Sequence, residues 1–155
     1  MAKSLKYEVV SLDQVPFNNS MIFPKSRSSV VLVVDDERVI ADTLSIILKK
    51  SGYDVLTAYD GKTALELARA VPPSLLITDV VMPGMTGIEL AILMVGVFSE
   101  CKVLLFSGQA ATVDLLKKAR DMGHDFAILS KPVYPTDMLR RVSECFEVGE
   151  MLAHA

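Results

Sequence analysis

The sequence predicts an α/β fold, one parallel sheet with helices on both faces, on three observations. Five short runs rich in Val, Ile and Leu alternate with stretches whose apolar residues recur at helical spacing. The runs are continuous rather than alternating, as in Val30-Val31-Leu32-Val33-Val34, which marks strands buried on both faces. Polar residues stand at the carboxyl ends of four separate runs: Asp35-Asp36, Asp79, Ser107 and Lys131. Ligands of such sheets bind in the crevice beyond the carboxyl ends of the strands.

Residues 1–29 differ from the rest. Val15-Pro16-Phe17-Asn18-Asn19-Ser20 and Phe23-Pro24-Lys25-Ser26-Arg27-Ser28-Ser29 have turn and linker compositions around a small apolar island, Met21-Ile22-Phe23. A flexible or loosely docked extension is expected there. The first strand is expected at 30–34. The first helix is expected over 37–51, with Val39-Ile40, Leu44 and Ile47-Leu48 on one face and Gly52 as its stop. The second strand covers 54–58, Asp60-Gly61 turns the chain, and the second helix runs over 62–70 until Pro72-Pro73. The third strand is expected at 74–78 and the third helix at 86–98. The fourth strand is expected at 102–106 and the fourth helix at 110–121. The fifth strand is expected at 126–129, and the fifth helix from Pro135 until Gly149. The domain is therefore expected to span 30–149, with 150–155 as a short tail and no output domain expected after it. Strict alternation implies right-handed crossovers and one sheet covered on both faces.

Composition narrows the function. The chain has 155 residues, enough for one proper core, and 51% of them are hydrophobic. A net charge of −3 gives no basis for binding nucleic acid or an anionic membrane. Cys101 and Cys145 show no framework spacing and read as reduced thiols. No secretory leader is apparent, and the longest apolar stretch, 90–98, falls far short of the roughly twenty residues a bilayer crossing needs. A cytoplasmic protein with no membrane insertion is expected.

The strand-end residues define a chemistry. Three carboxylates packed together repel unless a cation joins them, and a hard, oxygen-ligated ion, most plausibly Mg²⁺, relieves that. A plainer reading has Asp35 capping the first helix and Asp36 solvated, but a cap explains one aspartate and not three. Asp79 precedes Val80-Val81-Met82-Pro83-Gly84-Met85-Thr86-Gly87, a tight loop that leaves its carboxylate exposed, so that it can attack phosphorus in line. The Ser107 hydroxyl can donate to a phosphoryl oxygen, with Gly108 allowing close backbone approach; alone, a Ser-Gly pair is an ordinary turn. Lys131 supplies the counter-charge, and Lys131-Pro132 is a candidate cis bond. There is no G-x-x-x-x-G-K-[ST], G-x-G-x-x-G or H-E-x-x-H motif, and His124 and His154 are isolated.

Val31-Leu32-Val33-Val34-Asp35-Asp36-Glu37, Asp79-Val80-Val81-Met82-Pro83-Gly84-Met85-Thr86-Gly87, Ser107-Gly108 and Lys131-Pro132 together resemble the receiver (CheY-like) domain of bacterial two-component response regulators, over roughly 30–148. The resemblance implies a flavodoxin-like, doubly wound five-stranded sheet in the order 2-1-3-4-5 with five helices. It implies phosphorylation of Asp79 by a sensor histidine kinase, or phosphate relay with a histidine phosphotransfer protein. Asp36, Asp79 and the Val81 backbone carbonyl would bind Mg²⁺, Asp35 would act through water, and Ser107 and Lys131 would hold the phosphoryl oxygens. Such a protein is a signalling switch rather than an enzyme, catalysing only its own phosphorylation and slow dephosphorylation.

Output is expected through an unidentified downstream protein, or a homodimer formed through the fourth helix, fifth strand and fifth helix or through the third helix. That third helix (Ile88, Leu90 to Val95, Val97, Phe98) lacks a polar face, so it is either wedged between neighbours or exposed as a patch. The alternative is a phosphorylation-independent scaffold or dimerisation module. Three departures from the family stand out. Ile128 occupies the position where relatives often carry a switching aromatic, with Phe126 either substituting for it or simply core. The segment from Gly123 to Lys131 is one residue longer than usual, to be absorbed by a bulge or a shifted loop. Val81 and Gln109 occupy positions that influence hydrolysis in relatives, and an apolar Val81 predicts slow loss of the phosphoryl group.

Overall fold

The computed structural model describes residues 29–108 and 112–153. The predicted extension, apart from Ser29, and His154 and Gln109 lie outside the described residues. Strands β1 (Val30–Val34), β2 (Asp54–Ala58), β3 (Leu75–Asp79), β4 (Lys102–Ser107) and β5 (Ala127–Ser130) alternate with helices α1 (Arg38–Lys50), α2 (Gly61–Ala70), α3 (Gly87–Val97), α4 (Thr112–Asp121) and α5 (Pro135–Ala153). The sheet is parallel throughout, in the order β2-β1-β3-β4-β5, as the resemblance implies.

Alternate side chains along each strand feed two separate cores, because successive residues point to opposite faces. Val31, Val33, Leu75, Ile77, Leu104 and Phe106 face α1 and α5, meeting Leu44, Leu48, Met138 and Val142. Leu32, Val34, Leu76, Val103 and Leu105 face α2, α3 and α4, meeting Ala64, Ala68, Leu90, Met94 and Ala119. β1 and β3 are buried along their whole length, so the sheet's centre is fixed on both sides.

Local signals explain most boundaries. Gly52 ends α1 at φ +96°, with its N–H donating to the Lys49 carbonyl at 3.1 Å and the Tyr53 N–H to that of Leu48 at 3.1 Å. Asp60 caps α2 by accepting the Thr63 N–H at 2.7 Å. Thr86 and Glu89 close a reciprocal capping box on α3, at 3.1 and 3.0 Å.

Three expectations need correction. Strands β3 and β4 run one residue further than predicted, so Asp79 and Ser107 are the last residues of their strands rather than the first beyond them. Helix α5 continues through Gly149 to Ala153, since glycine in a helix interior only weakens it. The pairing of β4 with β5 contains no bulge, which leaves the shifted loop of the two expected ways to absorb the longer segment before Lys131. Leu104, Leu105, Phe106 and Ser107 pair without interruption with Ala127, Ile128, Leu129 and Ser130, and β5 begins at Ala127 rather than Phe126. Helix α3 realises both of its readings: Ile88, Leu90, Ala91 and Met94 are wedged inside, while Leu93 and Val97 are exposed. No helix among the described residues is long and apolar enough to cross a membrane.

Candidate functional site

The order of the sheet brings the carboxyl ends of β1, β3 and β4 side by side, and β5 flanks β4. Asp35, Asp36 and Asp79 each offer a carboxylate oxygen within 4.8 Å of the others. Their environments differ: Asp35 is buried, Asp36 exposed and Asp79 at the border between them. Lys131 Nζ lies 3.1 Å from Asp79 Oδ2 and 3.6 Å from Asp35 Oδ2. The Lys131-Pro132 peptide bond is cis.

Asp35 does not cap α1: the residue before that helix is Glu37, and the helix start has no side-chain cap hydrogen bond. Asp35 Oδ1 accepts the Glu37 N–H at 2.9 Å, a local turn that leads the chain into α1. Its Oδ2 is buried without a hydrogen-bond partner, the ammonium at 3.6 Å being too distant for one. Burial raises the Asp35 pKa above the usual carboxylate range, against the opposing pull of the Glu37 amide and Lys131. For Lys131, burial acts downward, but the Asp79 hydrogen bond and the Asp35 and Asp79 charges outweigh it, and the pKa stands above the ordinary lysine value. A buried carboxylate oxygen with no donor, among two other carboxylates, fits a cation with oxygen ligands.

The connection between β3 and α3 holds Asp79 in place. The Gly87 N–H donates to the Val80 carbonyl at 2.8 Å, closing that loop. A Cβ at position 87 would lie 1.8 Å from the Asp79 carbonyl oxygen, so only glycine permits this approach. The Thr78 hydroxyl donates to the same carbonyl at 3.0 Å. At Gly108 a Cβ would meet the Lys131 side chain at 3.1 Å, the crowding that glycine avoids.

Above the carboxylates is an open cavity of about 700 Å³, walled by Asp36, Asp79, Val81, Met82, Thr112 and Lys131 among others. Ser107 is not among the described residues that line it. Its Oγ instead lies 2.6 Å from Thr112 Oγ1 at the start of α4. Thr112, buried and on the cavity wall, is a site residue that no motif in the sequence singles out. Phe126 stacks on His124 and packs against the core beneath α2, α3 and α4, ahead of β5, whereas Ile128 is partly exposed on β5. Phe126 is half-buried at the edge of that core. Cys101 is buried and Cys145 half-buried, both as free thiols.

Comparison with known proteins agrees with this geometry. The model of the response regulator receiver domain matches residues 31–143. The chain belongs to the response regulator receiver family. A response regulator receiver domain protein from Clostridium thermocellum is similar at 25% identity, covering 80% of this chain and 98% of that one, with a TM-score of 0.71. A CheY-like receiver domain protein from Methanospirillum hungatei JF-1 is similar at 27%, covering 80% and 98%, with a TM-score of 0.72. The chemotaxis response regulator CheY4 of Vibrio cholerae shares 30%, covering 76% and 98%, with a TM-score of 0.65. This receiver domain is thus a module of two-component signalling.

Proposed function

We propose that this receiver domain is a phosphorylation switch that takes a phosphoryl group on Asp79, with Mg²⁺, from a sensor histidine kinase or a histidine phosphotransfer protein. The observation that carries the reading is the convergence of Asp35, Asp36 and Asp79 within 4.8 Å, with the Lys131 ammonium 3.1 Å from Asp79. Asp36, Asp79 and the Val81 backbone carbonyl would hold the ion, with Asp35 acting through water. Bound there, Mg²⁺ offsets the repulsion between an anionic nucleophile and an anionic phosphoryl donor.

The chain's own residues do the rest. An Asp79 carboxylate oxygen bonds to phosphorus as the donor's phosphorus–nitrogen bond to imidazole breaks. Lys131 moves its contact from a carboxylate oxygen to a phosphoryl oxygen, for which a fixed ammonium is a suitable partner. Ser107 supplies a hydroxyl donor. The added charge biases an existing two-state equilibrium in the face formed by α4, β5 and α5. The signal then passes to a downstream protein, or through a homodimer using that face or the exposed Leu93 and Val97 of α3. Val81, exposed at the cavity wall, shields the acyl phosphate, so dephosphorylation is slow; a half-life of seconds would contradict this. The domain occupies 30–149, with residues 1–29 as an extension, acting in the cytoplasm.

Intact mass after incubation with acetyl phosphate and Mg²⁺ tests the reading. One phosphoryl group is expected on the wild type, and none on Asp79→Asn or without the metal. An unmodified wild type would overturn it and favour the phosphorylation-independent scaffold.

A further inference from the structure

Ser107 is not among the described residues that line the cavity, and its hydroxyl is engaged by Thr112 at the cavity wall, although the proposed chemistry uses it on the phosphoryl group. Its backbone is pinned: the Ser107 carbonyl accepts the Lys131 N–H at 2.9 Å, and the residue pairs in register with Ser130. Only the side-chain torsion is free to move. That torsion is committed to Thr112, since an oxygen–oxygen separation of 2.6 Å is at the short end for hydroxyls. Whichever oxygen donates, turning Ser107 Oγ onto a phosphoryl group pulls the pair apart, because staggered rotamers lie about 120° from one another.

The buried residues of α4 among those described are Thr112 and Ala119 alone, while Asp114, Lys117, Lys118 and Arg120 are exposed. Leu115 and Leu116 are half-buried against the core, and the hydroxyl pair adds a polar contact at the first described residue of the helix. Ile128, partly exposed on β5, provides no aromatic ring to carry a signal from Ser107.

We propose that Thr112 is a positioning residue: its hydroxyl keeps Ser107 engaged until a phosphoryl group on Asp79 draws it away, and that exchange releases the first turn of α4. This rests on the phosphorylation reading above. The contact between the two hydroxyls then opposes phosphoryl binding and at the same time reports it to the helix.

A double-mutant cycle tests it, with beryllium fluoride and Mg²⁺ as the phosphoryl mimic. Thr112→Val keeps the volume and removes the hydroxyl, so the mimic should bind about fivefold tighter, the equivalent of one net hydrogen bond. Thr112→Ser retains the contact and should stay close to wild type. In a Ser107→Ala background the gain from Thr112→Val should vanish. Amide hydrogen exchange supplies an independent readout: the mimic speeds exchange in the first turn of α4 in wild type, and in Thr112→Val that turn exchanges fast without it. If Thr112→Val binds no tighter, or keeps its gain without Ser107, Thr112 is structural only and the inference falls while phosphorylation stands. A wild type that takes up neither the mimic nor a phosphoryl group overturns both.

Discussion

Helices α3 and α4 lie on the same face of the sheet, yet α3 buries Gly87, Ile88, Leu90, Ala91 and Met94 whereas the described part of α4 buries only Thr112 and Ala119. Their starts differ in kind as well. Helix α3 begins with a reciprocal capping box and a glycine packed on the Asp79 backbone. Helix α4 begins with one hydroxyl touching another. On the proposed function the contrast separates two tasks beside one site: α3 would fix the Asp79 carboxylate, and α4 would respond to it. Apolar burial makes a helix part of the core, while a polar contact near a charged site can be exchanged when the charge changes.

The contrast can be broken at several points. Gly87→Ala has the largest expected effect, because the new Cβ meets a backbone oxygen that cannot move aside; urea unfolding should show a loss of about 3 kcal/mol or more. Asp35→Asn acts in the opposite direction. It removes a buried charge whose Oδ2 lacks a donor, so the metal-free protein should gain about 1–2 kcal/mol, while added Mg²⁺ should stabilise the variant far less than wild type. Thr86→Ala removes the cap of α3 and should cost about 1 kcal/mol in the same measurement. In the unmodified protein, amides of α4 should exchange at least about tenfold faster than those of α3; equal protection would erase the distinction between them.

The thiols have no effect at neutral pH and act only in alkali. Burial pushes the Cys101 thiol from 9.0 up to about 12, so the fold favours its neutral form. That contribution is complete below pH 9.0 and is lost as pH rises towards about 12, so stability should decline over that window and Cys101→Ala should flatten the decline.

Much of this is legible in the order of residues. Continuous apolar runs between helical stretches point to the parallel sheet, and polar residues at the ends of those runs point to the site, because a parallel sheet aligns all its carboxyl ends. Asp35, Asp36, Asp79 and Lys131 do meet. Thr112 is not legible. In Ala110-Ala111-Thr112-Val113-Asp114 it reads as an ordinary helix start, and no spacing or motif in the sequence sets it against Ser107. Phe126 and Ile128 share one face of the chain, so periodicity alone does not distinguish them; in the structure Phe126 is half-buried against the core and stacked on His124, while Ile128 is exposed. The end of α5 lies beyond the predicted one because a glycine stops a helix only where the backbone takes a positive φ, as at Gly52, and α5 runs on through Gly149.

The absence of any side chain at position 87 constrains how this protein can diverge. With a helix start pressed against the main chain of Asp79, mutation cannot readily shift the reacting carboxylate by adjusting the scaffold around it. If the proposed phosphorylation holds, variation in signalling lifetime is expected at rim positions such as Val81, which is exposed at the cavity wall and outside that frame.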